Sequence, residues 1–268
     1  MADPTKLAEH VQDADRFVLP FKEILIPQPF GTHFPITKFM VLELVAAALM
    51  LLIFIPLARR VSKGELPRGR FFNMFEMMVL FIRDQVVRPA IGRHDADRFL
   101  PFILTLFFFI LFCNLLGMLP WAGSPTADFA VTSALAVVAF TVVVGAGMKK
   151  YGLVKFWTGL CPHMELPFML KITLVPMILV IEIFSLFIKH TILAVRLLAN
   201  MFAGHLVLAV ILAFTADFAA SIFWYGVMPA SVLGCVALSL LELLVAFLQA
   251  YIFAFLTALF IGMAVHQH

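Results

Sequence analysis

Five stretches of this chain are apolar over lengths that match a lipid bilayer, and that confines the fold more than any other feature. They run from about Phe39 to Leu57, Phe99 to Leu119, Phe129 to Met148, Leu166 to Thr215 and Ser221 to Val265. About 20 apolar residues in a helix cross a hydrocarbon core ~30 Å thick. Hydrophobic residues make up 63% of the 268 positions, charged residues only 13%, and there are 30 Phe, far beyond what a water-soluble core of this size requires. The reading is an all-α integral membrane protein with about five transmembrane helices and the lipid bilayer as its first partner.

The remaining composition narrows the function classes. Cys113, Cys161 and Cys235 lie in or near apolar runs without CxxC spacing, so neither a metal site nor a disulfide framework is expected, and they read as packing residues. The first 38 residues carry Asp3, Glu9, Asp13, Asp15 and Glu23 and lack the basic-then-apolar pattern of a cleavable signal; they read as a partly ordered tail. A net charge of +3 gives no support to nucleic acid binding.

The basic residues report orientation instead. Arg59, Arg60, Lys63, Arg68, Arg70, Arg83, Arg88, Arg93 and Arg98, nine of the 19 Lys and Arg, fall between the first two apolar stretches, and Lys149, Lys150 and Lys155 follow the third. The loops around Ser124 and Asp217 hold none. Positive charge stays on the cytoplasmic side, so the amino terminus is expected outside and the carboxy terminus inside. Within the basic loop, FFNMFEMMVLFIRDQVV (71 to 87) is apolar on one side and too short to span; it predicts an interfacial amphipathic helix.

The last two apolar stretches are too long for one perpendicular crossing. About 50 residues make roughly 75 Å of helix against a core of about 30 Å. Between Pro176 and Gly204 there is no Gly or Pro to build a hairpin, and the only polar break is Lys189-His190. One continuous, strongly tilted helix is therefore expected in each stretch. No internal repeat of the kind that builds many transporters is present.

Ionisable residues inside these last stretches require a reason. At about 100° per residue, Glu182, Lys189 and Arg196 stay within about 40° of one helix face, where Ser185 and Asn200 also fall, while His205 lies about 180° from Arg196. On the last helix Ser239, Glu242 and Gln249 form a second narrow seam. Each has an ordinary explanation taken singly. Arg196 can snorkel to the interface, Glu242 and Gln249 can be hydrogen-bond glue, His205 can be a packing residue, and Glu43 and Glu76 read as structural. Their number argues otherwise, because clustered intramembrane ionisable groups mark an ion path.

With these residues in view, the chain resembles the a subunits of F-type ATP synthases. The resemblance rests on AVRLLANMFAGH (194 to 205), Glu182 fourteen residues before the Arg, CNLLGMLP (113 to 120), SPTADFAVT (124 to 132) and ELLVAFLQAYIF (242 to 253), and it extends over about residues 99 to 264. It implies that Arg196 faces a rotating ring of small hairpin c subunits, that Asn200 and Gln249 line the same polar region, that His205 and Glu242 form a coupled pair, and that Glu182 lies on the cytoplasmic exit path. Asn114, Asp128, Lys189 and Ser239 are supporting candidates. His190 stands where the family commonly has Pro, and Leu198 where it has Phe.

The resemblance also implies the organisation: an amino-terminal tail on the outer side (1–38), the first transmembrane helix and basic loop (39–98), and a proton-channel helical domain (99–268). Further expected partners are peripheral-stalk b subunits and the catalytic head; no cofactor and no ATP site of the chain's own are expected. The implied location is a bacterial plasma membrane, with the mitochondrial inner membrane as the alternative. Two rival classes fit less well. A proton-coupled permease would show repeats or Gly/Pro-broken helices, and an intramembrane metalloprotease would need more than His163-Met164-Glu165, which lacks the second His of HExxH.

Overall fold

The computed structural model describes residues 16–19, 22–25, 37–63, 69–119, 123–159, 168–218 and 223–266. Cys161 and the His163-Met164-Glu165 triplet lie outside the described residues, as does most of the tail. What is described of the tail is a short antiparallel pair, β1 (Arg16–Leu19) with β2 (Lys22–Leu25), Arg16 opposite Leu25. The rest is helical: α1 (Lys38–Ser62), α2 (Arg70–Phe81), a π-helical turn (Ile82–Val87), α3 (Arg88–Ile91), α4 (Arg93–Gly117), a 3₁₀ turn (Pro125–Ala127), α5 (Phe129–Tyr151), α6 (Leu153–Gly159), α7 (Phe168–Asp217) and α8 (Trp224–Val265). Among the described residues five helices, α1, α4, α5, α7 and α8, are long and apolar enough to cross a membrane.

Helix is the form these runs must take, because in hydrocarbon each backbone N–H and C=O needs a partner within the segment. Proline does not end the helices: Pro56, Pro101, Pro176 and Pro229 all lie inside one. α7 is a single element of 50 residues through Lys189-His190, as the lack of turn residues there predicts, and α8 has 42. Half of the most apolar stretch of α4 is buried, against 11% for α7 and for α8. α4 is thus the most buried of the five, and the last two leave most of their apolar surface exposed.

The chain divides into two compact units, one of residues 1–66, 108–132 and 196–251, the other of 67–107, 133–195 and 252–268. In the first, α1 starts at Thr37, whose hydroxyl accepts the Met40 N–H at 3.5 Å, and buries Phe39, Leu42 and Ala46 along one stripe. Phe54 packs on Phe108 of α4 with ring centres 4.5 Å apart.

In the second unit the predicted amphipathic segment is present but is not one regular helix. α2 passes into the π-helical turn at Ile82, and Pro89 then sits in the first turn of α3. The extra residue of the wider turn goes with burial of Ile82, Val86 and Val87 together, while Phe71, Met74 and Met77 remain exposed. Asp84 receives two hydrogen bonds from Arg83, at 3.0 and 3.1 Å, and one from Arg88 at 2.7 Å. The Arg83 hydrogen bond, foremost, holds its carboxyl below the usual range. Around the end of α8, Tyr151 Oη donates to the Val265 carbonyl at 2.8 Å, His266 Nε2 meets the Ile91 carbonyl at 2.8 Å, and Lys150 pairs with Asp95 at 3.0 Å. Gly262 is required there, since a methyl group would run into the Ala90 carbonyl.

Candidate functional site

The polar residues of the first unit gather on the facing parts of α7 and α8. On α7, Arg196, Asn200 and Gly204 follow one another at single-turn spacing, so they form one stripe about 80° wide. On α8, Ser239, Glu242, Ala246 and Gln249 fall on one side in the same way. Between them lies a cavity of about 220 Å³ whose walls include Asn200, Ala203, Gly204 and Val207 of α7 and Leu238, Leu241, Glu242 and Val245 of α8. The Glu242 side chain reaches Gly204: a Cβ there would stand 2.7 Å from Glu242 Oε1. The missing side chain makes room for the carboxylate.

Burial is graded across the site. Glu242 is 7% exposed and Gln249 4%, while Arg196, Asn200, His205 and Ser239 are half-buried. Asn200 Nδ2, His205 Nε2 and Glu242 Oε1 are buried and meet no hydrogen-bond partner among the described residues. Groups of this kind are normally satisfied by protein or water. His205, one residue beyond Gly204, does not line this cavity. Asn200 and Glu242 are therefore brought to one site, and His205 and Glu242 share no direct hydrogen bond.

Glu182 and Lys189 belong to the second unit, where they form a half-exposed ion pair with Nζ 3.9 Å from Oε1, two turns apart on α7. Asp128 caps α5, its carboxylate accepting the Ala130 N–H at 3.1 Å. Asn114 is fully buried and hydrogen-bonded on both sides of its amide. Among the described residues no group of His, Cys, Asp or Glu is placed to hold a metal ion.

Two residues outside the expected set stand out. Gly204 is legible in hindsight as a small residue inside a polar stripe, where close helix approach is needed. His190 is only 4% exposed; its Nδ1 lies 2.9 Å from the Leu186 carbonyl, and its ring sits between Phe140 and Phe260 at 5.3 and 5.1 Å. His190 is thus held by aromatic packing contacts.

The comparisons agree with the motifs. The profile of the family described as ATP synthase A chain matches residues 40–262. ATP synthase subunit a of Chloroherpeton thalassium is 40% identical over 271 aligned positions, covering 98% of this chain and 78% of that protein. The subunit a of Myxococcus xanthus is 41% identical over 243 positions, covering 87% and 75%, and the subunit a 2 of Chlorobaculum tepidum is 36% identical over 272, covering 96% and 72%. With its five membrane-capable helices and these bacterial relatives, the chain belongs to the ATP synthase A chain family.

Proposed function

We propose that the chain is the stationary proton-conducting subunit of an ATP synthase, with Arg196 as the fixed charge past which carboxylates of a rotating ring are carried. The observation that carries this reading is the half-buried Arg196 on the same α7 stripe as Asn200 and Gly204, one turn before Asn200, which walls a cavity together with Glu242. Arg stays protonated in any protein setting, so it cannot relay a proton and acts only as a positive charge. A ring carboxylate arriving at it is favoured in its ionised form. It gives up its proton towards Glu182 on the cytoplasmic side, moves on, and is reprotonated from the opposite side through His205, Glu242, Asn200 and Gln249. The same charge repels hydronium and blocks a direct leak.

The bare faces of α7 and α8 fit this role. Phe202, Leu206 and Val210 of α7 and Leu233, Leu240 and Leu244 of α8 are exposed, and an apolar surface of that extent is normally covered by lipid or a partner. At about 1.5 Å per residue, α7 exceeds the ~30 Å core more than twofold and must tilt if it is to stay buried, which suits a surface laid against a curved ring. The basic loop faces the cytoplasm in this reading. Peripheral-stalk b subunits and the catalytic head complete the complex.

Capture of the tagged chain from gently solubilised membranes is expected to bring a small ring-forming hairpin protein and a soluble ATPase head, and vesicles of that complex acidify when ATP is added. Recovery of the chain without either partner would sink the reading. A narrower result concerns Gly204. Gly204→Ala places a methyl group against Glu242 Oε1 and displaces the carboxylate, so proton flux through assembled complex is expected to fall about tenfold, equivalent to about 1.4 kcal/mol. Unchanged flux would show that Glu242 has no required position.

A further inference from the structure

We infer that Asn114 is a positioning residue for Glu242: its amide, fixed by the hydroxyls of Thr126 and Ser124, sets the rotation of α8 about its own axis and so holds the carboxylate against Gly204. This rests on the proton-path role proposed for Glu242, but its geometry stands apart from that role.

Asn114 near the carboxyl end of α4, and Ser124 and Thr126 at the 3₁₀ turn, are all fully buried. Asn114 Nδ2 donates to the backbone carbonyl of Ala246 at 3.2 Å, Thr126 Oγ1 donates to Asn114 Oδ1 at 2.7 Å, and Ser124 Oγ lies 2.8 Å from Thr126 Oγ1. The order of donors is determined by chemistry. A carbonyl only accepts, so the amide nitrogen must face Ala246, and the amide oxygen then needs a donor, which Thr126 supplies. Flipping the amide would set its oxygen against the Ala246 carbonyl, two acceptors face to face, and lose the bond to α8.

The anchored carbonyl is well placed for the purpose. Ala246 is one turn beyond Glu242 and three residues before Gln249, so the three share one side of α8. That helix is apolar almost throughout, and apolar side chains of similar size specify its rotation weakly. Glu242 itself has a buried oxygen with no hydrogen-bond partner among the described residues. Ala246 and Ala250 are fully buried and small, which permits the close approach but leaves its angle open. A directional hydrogen bond to a backbone atom fixes that angle, because the main-chain carbonyl turns with the helix. A small turn of α8 would carry Glu242 out of the gap at Gly204.

The test uses the assembled complex in vesicles, with the chain's three cysteines replaced and new ones at Val207 and Leu241, which wall the same cavity on opposite helices. A short bifunctional thiol reagent links these two in the parent protein. Asn114→Leu, of similar volume but without the amide, is expected to lower linkage several-fold and proton flux about tenfold. Should that variant fail to assemble, Thr126→Val tests the same anchor from its other end. Thr126→Ser keeps the hydroxyl and is expected to restore both readouts, which a role in filling space alone would not predict. Linkage that stays at the parent level in Asn114→Leu and Thr126→Val overturns the inference, as does lost linkage with normal flux. Normal flux in Glu242→Gln would instead defeat the proton-path reading and leave the anchor measurable by linkage.

Discussion

Arg196→Lys is expected to abolish ATP-driven proton pumping and ATP synthesis, by at least about 100-fold or about 2.7 kcal/mol, while the complex still assembles. The two side chains carry the same charge, and a residue that merely reached for the membrane surface would tolerate the exchange. They differ in what a passing carboxylate experiences. The guanidinium is planar, offers five donors and cannot lose its proton, whereas an ammonium on a flexible stem deprotonates readily when it is desolvated. A lysine that becomes neutral no longer forces the carboxylate to ionise. Arg196→Ala removes the charge altogether, so ring sites can pass in either protonation state, and passive proton conduction is expected to persist or rise while coupling is lost. Proton flux and ATP synthesis measured in the same vesicles separate the two variants. Near-normal synthesis in Arg196→Lys would return this residue to a structural role.

Much of the architecture could be read directly from the residues. Apolar length located the five long helices, and the lack of Gly or Pro between Pro176 and Gly204 foretold one helix through Lys189-His190. The π-helical turn at Ile82–Val87 could not be read, because a shift from i→i+4 to i→i+5 bonding leaves no mark in residue type. Composition alone describes the tail as polar and partly ordered and gives no sign of the β1–β2 pair. At the site, periodicity assigns residues to faces of one helix but says nothing about the register of two helices against each other. That register places Glu242 opposite Gly204 rather than in direct contact with His205, and it turns Asn114 from a motif letter into a tether on Ala246. The burial of His190 is hidden in the sequence for a related reason: its charged neighbour Lys189 invites a polar reading, while a step of about 100° around the helix carries His190 to a different face.

Because His205 Nε2 and Glu242 Oε1 are both buried without a hydrogen-bond partner among the described residues, any coupling between them is expected to run through solvent, and it should be visible as non-additivity. Removing either group, as His205→Ala or Glu242→Gln, leaves the other an isolated polar site in a membrane interior, where such groups are costly. Each single variant is expected to lower proton flux by about tenfold or more. If protons pass from one group to the other, the second removal costs little once the first is made. The double variant then conducts about as well as the worse single one, and the interaction amounts to about 0.5–3 kcal/mol. Exchanging the residues, as His205→Glu with Glu242→His, keeps one imidazole and one carboxyl on the same two helices and is expected to recover part of the flux. Recovery should be incomplete, because the gap at Gly204 accommodates a carboxylate end and an imidazole ring is bulkier. A direct ion pair would restore only what two side chains in contact can reach, whereas a solvent-mediated pair tolerates the change in length. Strictly additive losses, with no recovery in the exchanged variant, would show that the two residues act on separate steps and that the cavity at Glu242 is not part of a path that includes His205.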